Sequence, residues 1–108
     1  MTSHLQPAFR ALADPTRREI LHLLSANDMT IGEIAGQFTM TRAAVKKHLT
    51  ALEQGNLILS HTQGRERINT LNPAGLRPVV DWLNFFEQFW DERLNALQST
   101  IEQENTND

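Results

Sequence analysis

Arg42, Lys46 and Lys47 stand at positions i, i+4 and i+5 of the segment Thr41 to Leu52, TRAAVKKHLTAL. A helix over that segment turns all three towards one side. Guanidinium and ammonium groups are hydrogen-bond donors with permanent positive charge, which suits them to phosphate oxygens and to acceptor atoms on base edges. Residues 40 to 70 hold five cations (Arg42, Lys46, Lys47, Arg65, Arg67) against Glu53 and Glu66, a local balance of +3. Residues 71 to 108 hold Arg77 and Arg93 against seven carboxylates, a balance of −5, and the 108-residue chain as a whole is at −3. Bulk charge therefore does not draw this chain to nucleic acid, but its distribution leaves one region able to approach phosphate while another repels it.

The elements that must hold those cations follow from spacing and caps. Leu5, Phe9 and Leu12, with Ala8 and Ala13 beside them, predict a short first helix with Pro7 in its opening turn. Asp14 and Pro15 restart the chain as cap and first helical residue, and the helix to Ser25 turns Ile20, Leu23 and Leu24 inward. Asn27 and Asp28 make a turn. Thr30 and Glu33 then match a capping box that opens a third helix, with Ile31, Ile34, Ala35 and Phe38 facing the core. Gly32 and Gly36, four apart, permit close packing of that helix. Thr41 caps a fourth helix whose Val45, Leu49 and Leu52 form the inner stripe and whose Arg42, Ala43, Lys46, Lys47 and Thr50 form the outer one; Gly55-Asn56 ends it in the left-handed manner.

From Leu57 to Thr62 and from Arg67 to Leu71 the chain is rich in β-formers, with Gln63-Gly64-Arg65-Glu66 between them, which reads as a two-stranded hairpin. Asn72-Pro73 opens a brief turn. From about Arg77 or Pro78 a long helix is expected to run to Gln103, on the order of 40 Å at about 1.5 Å per residue. It carries Val79, Leu83, Phe86, Trp90, Leu94, Leu97 and Ile101 at alternating spacings of three and four, a seam of coiled-coil type, with Trp82, Phe85 and Phe89 as a second apolar strip. A small domain cannot cover that much apolar surface alone, so a second copy of the chain is the expected partner. The domain is read as residues 1–101, with a dimerisation helix over about 77–103 and a disordered polar tail at 102–108.

Several chemistries are excluded by composition. With no cysteine there is no disulfide, thiolate metal site or thiol redox switch. No phosphate-cradling glycine loop and no histidine–carboxylate pair at metal spacing is present, so no enzyme, cofactor or metal is expected. His48 lies beside Val45 and Leu49 and reads as a packed or hydrogen-bonded core histidine, while His4, His22 and His61 are isolated and read as surface residues. No stretch approaches the roughly 18 apolar residues of a membrane span, and the amino end lacks the apolar core of a signal peptide, so the expected location is cytoplasmic.

Four helices, a hairpin and a long helix, with a basic fourth helix behind a tight turn, make up a mainly α winged helix-turn-helix in the order α1-α2-α3-α4-β-β-α5. The segments Leu12 to Leu24 (LADPTRREILHLL), Thr41 to Leu52, Glu53 to Ile58 (EQGNLI) and Gly64-Arg65 resemble the ArsR family of bacterial repressors over roughly residues 5 to 100. That resemblance implies a homodimer, joined through the terminal helices, that binds a double-stranded DNA operator. In metal-sensing members the third helix resembles Leu-Cys-Val-Cys/Gly-Asp-Leu-Ala. Here the frame reads Met29-Thr30-Ile31-Gly32-Glu33-Ile34-Ala35, with Thr30 and Gly32 at the thiolate positions, and the last helix has no histidine. The chain is therefore similar to members that sense no metal.

The expected DNA-contacting residues are Thr41, Arg42, Ala43, Lys46, Lys47 and Thr50 on the fourth helix and Gln63, Arg65 and Arg67 on the wing. A solvated basic face and an ordinary charged hairpin tip are the plain alternatives. The expected dimer interface combines Leu5 and Phe9 with Val79, Leu83, Phe86, Trp90, Leu94 and Leu97. Arg17 and Arg18 either pair with Asp14 or Glu19, the favoured reading, or touch backbone phosphate. A rival reading of the same aromatics is a small-molecule-responsive repressor in which they line a ligand pocket at the dimer interface; a third is an interaction module that has lost DNA binding.

Overall fold

Asp14 sets the first corner of the molecule. Its side chain accepts the Arg17 amide at 3.1 Å and so caps α2 (Pro15–Ala26), with Pro15 in the opening turn where its missing N–H costs nothing. The bond from the Arg17 amide is the main reason the Asp14 carboxyl is held below its ordinary pKa; partial burial opposes the shift, and the Thr16 amide and the charges of His48 and Arg17 add to it. Before this corner lies α1 (Leu5–Leu12), whose Ala8 and Ala11 are buried.

The computed structural model describes residues 5–90, 96–98, 100 and 101. After α2 come β1 (Met29–Thr30), α3 (Ile31–Gly36), α4 (Arg42–Gln54), β2 (Ile58–Gln63), β3 (Glu66–Leu71), a 3₁₀ turn (Pro73–Leu76) and α5 (Arg77–Asn84). The capping box of α3 forms as the sequence indicates, with the Glu33 amide donating to Thr30 Oγ1 at 3.1 Å and the Thr30 amide to Glu33 Oε1 at 2.9 Å.

The sheet has three strands where the sequence indicates two. β3 lies between β2 and β1, antiparallel to both, with Met29 opposite Asn69 and Thr30 opposite Ile68. The added pair is clasped by the buried Asn69, whose Nδ2 donates to the Met29 carbonyl at 3.2 Å. The hairpin turn is also tighter than expected: Gln63 and Glu66 pair, leaving Gly64 and Arg65 as its two central residues, with Gly64 at φ 64.

The core gathers Ile20, Leu24, Ile34, Val45, Leu52, Leu57 and Ile58, all at most 3% exposed, with Leu21 and Leu49 alongside. Leu23, expected inside, is half-buried. α4 ends in a Schellman arrangement: the Leu57 amide donates to Leu52 O at 3.0 Å and the Asn56 amide to Glu53 O at 2.9 Å. The left-handed residue is Asn56 at φ 63, whereas Gly55 stays right-handed at φ −79 and is buried against α1. Asn56 also holds the next corner. Its carbonyl accepts Asn72 Nδ2 at 2.9 Å, and a Cβ at Gly75 would fall 1.6 Å from that same oxygen, so only glycine fits there.

The glycine pair of α3 departs from the close-packing expectation. Nothing lies within 4 Å of a Cβ at Gly36, and the neighbour of Gly32 is the Arg42 side chain, not another helix backbone. The terminal helix departs as well. α5 stops at Asn84, Phe85 and Phe86 form a turn with amides donating to the carbonyls three residues back (Trp82 and Leu83), and helix resumes over 87–90. The expected run to Gln103, the seam residue Leu94, His4 and the polar tail at 102–108 fall wholly or partly outside the described residues. None of the described helices is long and apolar enough to cross a membrane.

Candidate nucleic-acid interface

Thr41 starts α4 by accepting the Ala44 amide at 3.1 Å, and three buried side chains, Val45, Leu49 and Leu52, seat the helix on the core. That seating leaves Thr41, Arg42, Ala43, Lys46, Lys47 and Thr50 exposed along the opposite side. From Ile34 to Leu52 the chain has no Asp or Glu, so the cations of α4 meet no acid within the helix before Glu53. Ala43 adds no bulk between Arg42 and Lys47, and the Thr50 hydroxyl donates back to the Lys46 carbonyl at 2.9 Å. A helix end dressed in this way fits a major groove about 12 Å wide.

The outer residues do not form one uniform face. The Arg42 guanidinium lies back over Gly32 of α3, in space that a Cβ would contest at 2.8 Å. Lys46, Thr50 and Glu53 border a groove of about 270 Å³ whose other wall is Ile31, Asn69 and Arg67. Arg67 spans this groove, with its Nε on the Ser60 hydroxyl and its Nη2 at 3.9 Å from Glu53 Oε1. Both partners of the ion pair are exposed, so it contributes under about 1 kcal/mol and orients Arg67 loosely. Gln63 and Arg65 project at the exposed wing tip, clear of that strap. Arg67 thus stands one pair below the wing tip, opposite Thr62, but its side chain reaches back towards α4, apart from Gln63 and Arg65.

Among the described residues, Arg17 and Arg18 form no ion pair with an acidic side chain. Arg17 Nε and Nη2 donate to the carbonyls of Ala11 and Arg10 at 2.8 and 2.9 Å, and Arg18 Nη1 to Leu12 at 2.7 Å, so both close the carboxyl end of α1, where unpaired carbonyls gather. Arg17 Nη1 also approaches His48 Nδ1 at 3.4 Å, which makes His48 the half-buried, hydrogen-bonded residue its position suggests. Neither this role of Arg17 nor that of Gly32 is signalled by charge pattern; the nearest hint is the position of Arg17 just after a helix-restarting Asp-Pro.

At the other end, Phe9 of α1 meets Trp82 of α5 edge-on with ring centroids 5.3 Å apart, and Trp82, Phe86 and Phe85 continue the contact at 5.0 Å per step. Val79 packs towards the core, and Leu5 and Phe86 are half-buried. Leu83, Phe85, Phe89, Trp90 and Leu97 are at least half exposed. This is a large apolar surface for one short stretch of chain.

A model of bacterial regulatory proteins of the arsR family matches residues 14–60, which contain α2 to α4. The transcriptional repressor SdpR of Bacillus subtilis is 40% identical over 81 residues, spanning 74% of this chain and 90% of that protein. The chain belongs to the arsR family. Among solved structures, an ArsR-like transcriptional regulator from Rhodococcus sp. RHA1 superposes with a TM-score of 0.75 at 33% identity, covering 94% of each chain. The winged helix-turn-helix domain of Mb0332 from Mycobacterium bovis shares the fold at a TM-score of 0.62 and 23% identity, covering 84% of this chain and 82% of that one. As an arsR-family member the chain is a transcriptional regulator whose winged helix-turn-helix is its DNA-binding unit.

Proposed function

We propose that this protein is a homodimeric repressor that needs no metal and sets the amino end of α4 from each copy into successive major grooves of an inverted-repeat operator. The observation that carries the reading is the exposed side of α4, which bears Arg42, Lys46 and Lys47 with no acid in the helix before Glu53, on a helix pinned by Val45, Leu49 and Leu52. In a twofold dimer the two helices would lie about 34 Å apart, one turn of B-form DNA. Arg65 and Gln63 at the wing tip would reach backbone or minor groove beside each α4. Pairing of copies through the terminal elements is supported by the uncovered Leu83, Phe89 and Trp90, and the Mb0332 domain is described as homodimeric. The repressor assignment draws on the name of the Bacillus relative.

The test begins with fragments recovered by genomic footprinting and measures affinity by fluorescence anisotropy at several salt concentrations. The parent protein should show a steep salt slope, about 0.9 per phosphate neutralised. Arg42→Ala/Lys46→Ala/Lys47→Ala should lose at least a hundredfold in affinity while its sedimentation stays unchanged. Unaltered affinity in that triple variant would remove α4 from the interface.

A further inference from the structure

Away from the cations of α4, the side of α2 that carries Arg18, Leu21, His22 and Ser25 meets the end of β3 and the 3₁₀ turn along an open groove of about 280 Å³. Its walls are four leucines, Leu12, Leu21, Leu71 and Leu76, of which Leu21 belongs to the core and the other three pack against it. Two basic side chains, Arg18 and His22, line it one helical turn apart, and no carboxylate does. Arg18 is already oriented by the bond from its Nη1 to the Leu12 carbonyl at 2.7 Å, which leaves the other guanidinium N–H groups without a partner among the described residues. Ser25, also at the rim, donates its hydroxyl to the His22 carbonyl at 2.6 Å and so supports the turn that presents the imidazole.

We propose that this groove binds a soluble aliphatic monocarboxylate. The Arg18 fork would take the carboxylate, His22 would donate a second hydrogen bond, and the chain would lie along the leucines. Arginine suits this because its planar N–H groups match the two oxygens of a carboxylate, and an aliphatic tail suits it because every apolar wall is a branched alkyl group with no ring to stack on. The leucine floor gives each buried methylene about a fourfold gain in affinity. The site shares no residue with the DNA-contacting set and stands or falls independently of it. Its position nevertheless gives an occupant leverage: Leu76 is the last residue before α5, and the turn containing it is clamped through Gly75 and Asn72 to the end of α4.

The experiment is a titration of the full-length protein with sodium octanoate, followed by amide shifts in ¹H–¹⁵N NMR spectra. Saturable shifts should centre on Leu21, Leu71 and Leu76. Octan-1-ol, with the same chain and no charge, should bind at least tenfold more weakly, as should octanoate to the double variant Arg18→Gln/His22→Gln. Octanol binding as tightly as octanoate, an unweakened double variant, or shifts confined to the aromatic face at residues 82–90 would each overturn the proposal. The octanol comparison uses the unmodified chain and so does not depend on the variant folding.

Discussion

The guanidinium of Arg42 rests in the space that a side chain at Gly32 would fill, with Nη2 2.8 Å from where a Cβ would stand. One residue opens α4 and the other lies in the first turn of α3, so the two helices of the helix-turn-helix meet through an arginine and an absent methyl group. The conflict would be with the far end of a flexible, exposed side chain, not with backbone.

Gly32→Ala should therefore fold normally. Alanine gains up to about 1 kcal/mol of helix preference over glycine, and Arg42 need only swing outward. Chemical denaturation should show stability equal to or above the parent. A loss beyond about 1 kcal/mol would mean that Arg42 is held in place by more than the available space.

Asp14 supplies a pH-dependent prediction. Its carboxyl pKa is lower in the folded chain than its unfolded value near 4, so its stabilising contribution is present above that value and is lost as pH falls through the folded one. Asp14→Ala should cost about 0.5–2 kcal/mol at pH 7, the usual range for a lost amino-terminal cap. The difference from the parent should shrink between pH 4 and pH 2. A gap that is the same at pH 7 and pH 2 would show that the charge on the cap contributes nothing.

Arg17 and Arg18 adjoin in sequence but carry different structural weight. Arg17 is half-buried and joins two α1 carbonyls to His48 of α4, so Arg17→Ala should cost about 1–3 kcal/mol. Arg18 makes one exposed bond, and Arg18→Ala should cost under about 1 kcal/mol. Urea midpoints of the two variants give the comparison directly; equal losses would contradict the difference in burial.

The apolar terminal face can be tested where substitution spares the fold. Phe86 is half-buried between Trp82 and Phe85, so a charge there would damage the monomer. Leu83 and Trp90, at 51% and 62% exposure, are the better probes. Leu83→Glu/Trp90→Glu should sediment as a monomer with an unchanged far-ultraviolet spectrum. A persistent dimer would place the pairing surface elsewhere.

What could be read from the chain beforehand was whatever local chemistry dictates. The capping box at Thr30 and Glu33, the cap at Thr41 and the inner stripe of α4 each depend on residues within a few positions of one another, and each formed as expected. β1 was not legible because two residues carry no alternation, and its partner Asn69 lies forty positions away. The turn at Phe85 and Phe86 was hidden for the opposite reason: apolar spacings of three and four continue across it, with no proline or glycine to mark a break. The duties of Arg17 and Arg42 escaped because both end on neutral partners, carbonyls in one case and open space over a glycine in the other, which charge patterning cannot register.

The corner at Asn56 carries a last consequence. Its carbonyl receives Asn72 and lies so close to Gly75 that no other residue fits, so the exit from α4 and the approach to α5 are fastened directly to each other. Two such copies joined at their ends would behave like a caliper with a preset opening. On the proposed operator, half-sites displaced by a base pair or two would then be refused on distance, before any base is read.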